Sequence, residues 1–344
     1  MRLRFGWMIL LVLLVVAGGC SSENSDATET MTTEETVTED DRVMTLSLGT
    51  VQDWSGTRSG SVFRECAEDL KEISGGELQI DIYDDGILGD SQDLAQGAFL
   101  GTVDIVIGRP LSWTSVVPEA VLLGIGGIFS DSEMFNHLME SSYGETLEEY
   151  YRAGGLELLA CFSKTSLYLA SNERISSAED LVGVTVGGEP FYKSSDVFWV
   201  SLGMHVVTVE PYDIYASLLS GEMDAQLIDY ETFCSTRSYR LQKYIIPVNS
   251  ALNIYVCAMN LEQYNNLSEE QKIILQNYFS EVQQKLSELE EDTTSSGAEV
   301  VYPDYSFYAA WSEAKDTALE NLRDSLGDDT INIFMNQVAI IQNQ

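Results

Sequence analysis

Apolar and polar residues alternate at period two from Leu78 to Tyr83, with Leu78, Ile80 and Ile82 interleaved by Gln79, Asp81 and Tyr83. This spacing predicts a strand. Asp84-Asp85-Gly86 supplies turn chemistry, because glycine tolerates positive φ and aspartate bonds to its own backbone. Asp90 or Ser91 then offers an oxygen to the first unsatisfied N–H groups of a helix reaching about Leu100, which Gly101 closes. Val103 to Ile107 is an apolar run short enough to be a buried strand. Strand, helix and strand in this order predict a right-handed β-α-β unit, the element of a parallel sheet covered by helices. Ligands of such sheets sit beyond the carboxyl ends of the strands, which puts Gly108, Arg109 and Pro110 at a binding crevice.

The same periodicity predicts a strand over Met44 to Thr50, with Gln52-Asp53-Trp54 as the loop after it, and a helix from about Ser59 to Ile73. Glu133 to Ala153 reads as helical turns, with Phe135, Leu138, Met139, Leu147, Tyr150 and Tyr151 facing a core. Leu156 to Cys161 and Ser166 to Ser171 read as strands. A second series follows: a strand over Val182 to Val186 and a helix over Phe191 to Leu202 begun by Pro190. A strand over His205 to Val209, a helix over Tyr212 to Leu219 and a strand over Met223 to Ile228 complete a smaller second lobe. Ile245 to Val248 and Asn253 to Met259 return the chain to the first lobe. Ser268, followed by Glu269 and Glu270, is a helix start; that helix is expected to reach about Asp292 and brace both lobes. Phe307 to Ser325 and Thr330 to Gln342 predict terminal helices.

Two blocks of residues carry a family resemblance. The first comprises Gly76, Leu78, Ile80, Tyr83, Gly86, Leu88, Gly89, Gly101, Asp104, Pro118 and Glu119. The second comprises Ser176 to Val186 and then Pro211, Tyr212, Tyr215, Leu218, Gly221, Asp224 and Gln226. From about Thr45 to Gln284 the chain thus resembles the solute-binding proteins of tripartite ATP-independent periplasmic (TRAP) transporters, the DctP-like family. The resemblance implies a two-lobed α/β fold of the periplasmic-binding-protein type II, with strands crossing between the lobes. It also implies a receptor, without catalytic residues, cofactor or metal, that hands a small molecule to TRAP membrane subunits. The expected organisation is a first lobe over residues 44–163 plus about 250–266, a second lobe over 164–249, and bracing and C-terminal helices over 267–344.

Residues before this region add a location. Arg2 and Arg4 precede an apolar run from Met8 to Val16, which is of signal-peptide length. Ala17-Gly18-Gly19-Cys20 resembles a lipoprotein cleavage box, so 1–19 is expected to be a signal peptide and Cys20 a lipidated anchor. Residues 20–43, rich in Ser, Thr, Glu and Asp, suit a disordered acidic tether. The expected place is extracytoplasmic, on the cell membrane, as a monomer.

The chain has 18 Lys and Arg against 55 Asp and Glu, and loss of the two leader arginines shifts its net charge from −37 to −39. Such a balance excludes nucleic acid, whose phosphates need basic partners. Cys66, Cys161, Cys234 and Cys257 lack CxxC spacing, and four thiols would allow three disulfide pairings. His137 and His205 fall on separate elements, no G-x-S-x-G elbow occurs, and Gly124-Ile125-Gly126-Gly127 lacks the Lys-Ser/Thr of a phosphate loop. Enzyme readings fare badly and rank third.

Members of the resembled family clamp a carboxylate with an arginine in a "G-x-x-(I/V)-R-V-P" strand. Here Gly187 occupies that position, and Gln226-Leu227-Ile228-Asp229 replaces a downstream "Q-E-N-P". Arg109 is the candidate substitute, because a guanidinium fork matches a carboxylate; Lys164 and Lys193 are weaker candidates. The alternative is a neutral or amine ligand. It would be held by aromatic walls from Trp54, Phe191, Tyr192, Tyr212 and Tyr230, with Gln52, Asp53, Glu189 and Asp229 as polar partners. A receptor signalling to a membrane sensor kinase is the rival role.

Overall fold

In the computed structural model the described residues are 43–188, 193–289 and 296–343. The leader, Cys20 and the acidic tether lie outside them. The strands are β1 (Met44–Gly49), β2 (Leu78–Tyr83), β3 (Ile105–Gly108), β4 (Leu156–Ser171) and β5 (Thr185–Gly188). They continue with β6 (His205–Thr208), β7 (Ala225–Ile228), β8 (Tyr244–Asn260) and β9 (Glu299–Val300). All join one sheet in the order β2-β1-β3-β8-β4-β7-β5-β6, with β9 beside β8.

Two long strands make this sheet continuous. β4 and β8 pair antiparallel from Leu156↔Asn260 to Ser171↔Tyr244. Each is therefore a single strand where the sequence pattern predicts two. The polar interruption Ser163-Lys164-Thr165 is carried inside β4, and register shifts fall between Ser163 and Ser166 and between Ser166 and Tyr168. β3 pairs with one end of this ribbon and β7 with the other. Parallel β1–β3 form one lobe, and parallel β5–β7 the other.

Both lobes close with the same local device. Gly101 (φ 70°) ends the helix Ser91–Leu100, and Gly221 (φ 75°) ends Ile214–Ser220, each in the left-handed region that glycine adopts without strain. Three residues later, Asp104 accepts from Ser47 N at 2.8 Å and Asp224 from Thr185 N at 3.0 Å. Each carboxylate thereby ties the start of one strand to its parallel neighbour. At the other end of the first helix, Asp90 makes the expected cap, a capping box with Asp93.

The predicted brace is relocated. Ser268 caps the helix Glu269–Ser287 in a capping box with Gln271. Its buried Leu275, Tyr278, Phe279, Val282 and Leu286, however, pack only with first-lobe residues such as Leu48, Phe63 and Phe162. The helix Tyr305–Leu326 joins the two halves instead. Trp311 meets Phe198 and Trp199 of the second lobe at ring-centroid distances of 4.9 and 5.7 Å. Gly126 of the first lobe sits against the same rings: a Cβ there would lie 3.1 Å from Phe198 and 3.4 Å from Trp311. The glycine pair Gly126-Gly127 thus admits aromatic packing rather than a phosphate. The helix Asp328–Gln342 then packs on Ser132–Met139 and Ser142–Ala153, with Phe334 5.0 Å from Tyr143.

Cys66 and Cys257 are fully buried thiols, and no disulfide joins the described cysteines. Desolvation pushes the Cys66 thiol up to about 11 and raises Cys161 and Cys257 as well, so these are packing residues and poor nucleophiles. Among the described residues no helix is long and apolar enough to cross a membrane. Because Trp311 is 3% exposed and shared by both lobes, Trp311→Ala is expected to cost about 3–5 kcal/mol. Urea denaturation would read this as a lowered midpoint.

Candidate functional site

β3 ends at Gly108, and Pro110 starts a single 3-10 turn, Pro110–Trp113, which leaves Arg109 extended (ψ 160°) at the strand's carboxyl end. Arg109 is half-buried and stands between two cavities that share it with Gly187, Gly188 and Leu227. The larger, about 110 Å³, reaches toward Phe198, Trp199, Leu123, Ile125 and the helix residues Ala318 and Leu322. The smaller, about 80 Å³, is walled by Gln52, Asp53, Ser91, Ser112, Gln226 and Thr232, with Met223 and Ile214. Among the described residues lining either cavity, Arg109 is the one cationic side chain. Together the cavities form a cleft between the carboxyl ends of β1, β3, β5 and β7. Polar side chains gather at the smaller cavity, while the larger is lined by apolar side chains and main chain.

Of the residues singled out from sequence, Gln52, Asp53, Arg109 and Gly187 come together on this cleft. Four others are placed differently. Trp54 is 3% exposed and stacks on Phe63 at 4.1 Å in the first-lobe core, because the loop after β1 turns the indole inward. Asp229 is buried as the cap of Tyr230–Ser235, accepting from Thr232 N (3.1 Å), Thr232 Oγ1 (2.7 Å) and Asn253 Nδ2 (3.1 Å). Tyr230 is buried, and its hydroxyl donates to Ser296 Oγ at 2.8 Å and accepts from Ser296 N at 2.8 Å. Tyr212 is exposed, with its ring over Gly86 at the lobe boundary rather than in a cavity. Glu189, Phe191 and Tyr192 lie outside the described residues, as do the side chains of Lys164 and Lys193.

The position that holds an arginine in the resembled family is closely packed here. A Cβ on Gly187 would lie 2.7 Å from Met223 Cε, and one on Gly188 would lie 2.7 Å from Val206. Met223, completely buried, has taken the direction in which an arginine would grow. Sequence reasoning overlooked Met223, Phe198 and Trp199 because apolar residues at these spacings read equally well as core.

Contacts across the cleft show the lobes together. Glu231 of the second lobe accepts from Arg58 N at 2.6 Å, Ser59 N at 3.3 Å and Ser59 Oγ, at the start of the helix Arg58–Ile73. An anion at that end is favoured by the unpaired N–H groups and the helix dipole. Ser91 Oγ donates to Glu210 Oε2 at 2.9 Å along the same boundary. The mouth is acidic. Burial together with Asp53 and Asp84 raises the Asp85 carboxyl, and burial followed by Glu210 and neighbouring aspartates raises the Tyr212 phenol.

Comparison with known proteins gives this geometry a context. Residues 54–317 match the family model "Bacterial extracellular solute-binding protein, family 7" (DctP). Relatives include the sialic acid-binding periplasmic protein SiaP of Vibrio cholerae, 23% identical over 272 residues, 76% of this chain and 83% of that protein. The 2,3-diketo-L-gulonate-binding periplasmic protein YiaO of Escherichia coli is 22% identical over 203 residues, 58% of this chain and 61% of its own. An uncharacterized Haemophilus influenzae protein is 23% identical over 201 residues, 58% of this chain and 60% of that one, so two of these three are matched over less than two thirds of their length. A TRAP solute-binding protein of Desulfovibrio salexigens, solved with orotic acid, superposes with a TM-score of 0.77 at 18% identity, covering 86% of this chain and 99% of that one. The galactonate complex of DctPAm from Advenella mimigardefordensis gives 0.78 at 16% identity, covering 88% and 100%.

The close approach at Gly187 yields a test. Gly187→Ala is expected to destabilise the fold by about 1–3 kcal/mol through overpacking against Met223. Combined with Met223→Ala, its cost should fall, and the two changes should depart from additivity by at least about 1 kcal/mol in a double-mutant cycle of unfolding free energies.

Proposed function

The chain belongs to the bacterial extracellular solute-binding proteins of family 7, and from that premise we propose that it captures a carboxylate between its lobes through Arg109 and presents the closed form to TRAP membrane subunits. The observation that carries this reading is the position of Arg109. It is the one described cation on the cleft, at the carboxyl end of β3, between the two cavities. A guanidinium fork matches a carboxylate bidentately. Structural relatives solved with galacturonate and L-gulonate support an organic acid as the ligand class.

Closure follows from differential contact. A ligand that touches Arg109 in the first lobe and the Gly187-Gly188 and Gln226 wall in the second stabilises the state in which both are near. The lobes are residues 44–163 with about 250–266, and 164–249. The hinge lies where β4 and β8 lose regular register near Ser163–Ser166. Glu231 on the Arg58–Ser59 amides acts as a latch for the closed state. The protein works as a monomer outside the cytoplasm, held to the membrane by lipid on Cys20.

Two measurements test this. Thermal shifts against carboxylates, amines and neutral ring compounds should single out carboxylates; a ligand at 100 times its Kd adds about 2.7 kcal/mol of stability. Arg109→Ala is expected to abolish the shift without unfolding the protein, and stabilisation by amines or neutral rings alone would refute the carboxylate reading. Glu231→Ala removes charge-assisted bonds worth about 1.5–3 kcal/mol to the closed state. It should therefore weaken ligand affinity roughly tenfold while leaving the ranking of ligands unchanged, as read by calorimetry.

A further inference from the structure

Gln226 sits on β7 opposite Gly187 of β5, 2% exposed, on the wall of the smaller cavity. The orientation of its amide is fixed by its neighbour. Gln242 Nε2 donates to Ala170 O and Asp224 O, both at 3.1 Å, so Gln242 has its Oε1 left to offer. Gln226 Nε2 donates to that oxygen at 2.7 Å. The Oε1 of Gln226 is thereby committed to no neighbour and is buried without a hydrogen-bond partner. A buried acceptor in this condition has given up water and received nothing in exchange.

The larger cavity has few polar side chains. Apart from Arg109 and the indole of Trp199, its described side chains are apolar, among them Leu123, Ile125, Leu167, Phe198 and Leu252. Hydroxyls placed there would find side-chain partners only in Arg109 and the Trp199 indole, and a hydrocarbon matches the remaining side chains.

We propose that Gln226 is a specificity-determining residue that accepts a hydrogen bond from a ligand hydroxyl, and that the ligand is a hydroxylated monocarboxylate with an apolar tail, not a polyhydroxylated sugar acid. This rests on the carboxylate reading of the cleft. Arg109 takes the carboxylate, the hydroxyl completes Gln226 in the polar cavity, and the hydrocarbon tail fills the space beside Phe198 and Trp199. A hydroxyl suits Gln226 better than an ammonium. It brings no second cation toward Arg109, and the one described carboxylate on the walls, Asp53, is exposed and already accepts from Ser55 N at 2.9 Å.

Calorimetry with one branched six-carbon acid in its hydroxyl, oxo, amino and unsubstituted forms, together with galactonate, tests the proposal. The hydroxy acid is expected to bind at least tenfold more tightly than the oxo and unsubstituted forms. In Gln226→Met that preference should shrink to threefold or less, while Arg109→Ala abolishes binding of every member. The series on the unaltered protein decides the matter even where Gln226→Met fails to fold. Equal binding of the oxo or unsubstituted acid, or preference for the amino form, overturns the role of Gln226. Tightest binding of galactonate overturns the apolar tail and leaves the carboxylate reading standing. Failure of every acid, with the protein folded, overturns the carboxylate reading and this inference with it.

Discussion

The antiparallel ribbon of β4 and β8 is the constraint on which everything else depends. Each lobe contributes three short parallel strands, and the inner edge of each set needs a partner. The ribbon supplies that pairing to β3 at one end and to β7 at the other. It also fixes the directions of the strands, so that the carboxyl ends of both lobes face one cleft. Its register is most irregular in the middle, where partners jump from Ser163↔Ile254 to Ser166↔Leu252 and on to Tyr168↔Pro247.

The lobes are built on a common plan, and the cleft arises where they differ. Gly49 and Gly187 occupy matching places at the ends of β1 and β5, opposite Val106 and Gln226. Val103 approaches the first glycine and Met223 the second. Arg109 and Asp229 then stand at matching positions just beyond β3 and β7, each preceding a short helical turn. In the second lobe that position is spent on structure, since Asp229 caps its own helix and holds Thr232 and Asn253. In the first lobe the extended backbone before Pro110 leaves the side chain beside the cavities. Among the described residues of the cleft, the first lobe carries the charges and the second carries neutral walls.

Much of this was legible in the sequence because it is local. Alternation at Leu78–Tyr83, a cap at Asp90 or Ser91, the Gly101 stop and the Ser268 cap are each set by a few neighbouring residues, and all occur where the pattern put them. Arg109 was legible for the same reason, from its place after a buried strand. What failed was long-range. Whether Trp54 or Tyr230 faces a cleft or a core depends on partners such as Phe63 and Ser296, which no periodicity encodes. The brace belongs to Tyr305–Leu326 because Trp311 finds Phe198 and Trp199, a match of shapes between segments a hundred residues apart. Met223 filling the place of a missing arginine is likewise visible only once β5 and β7 lie side by side.

The acidity of the chain has a kinetic side. With a net charge of −37 and carboxylates at the mouth, the long-range field repels an approaching anion, although Arg109 attracts it at close range. Capture of the proposed acid is then governed by two opposed electrostatic regimes. The outer one reaches only about 10 Å at 0.1 M salt, so added salt lowers the barrier to encounter while barely touching the buried contact. Such a receptor captures its anion faster as ionic strength rises, the reverse of a protein that steers its ligand by net charge.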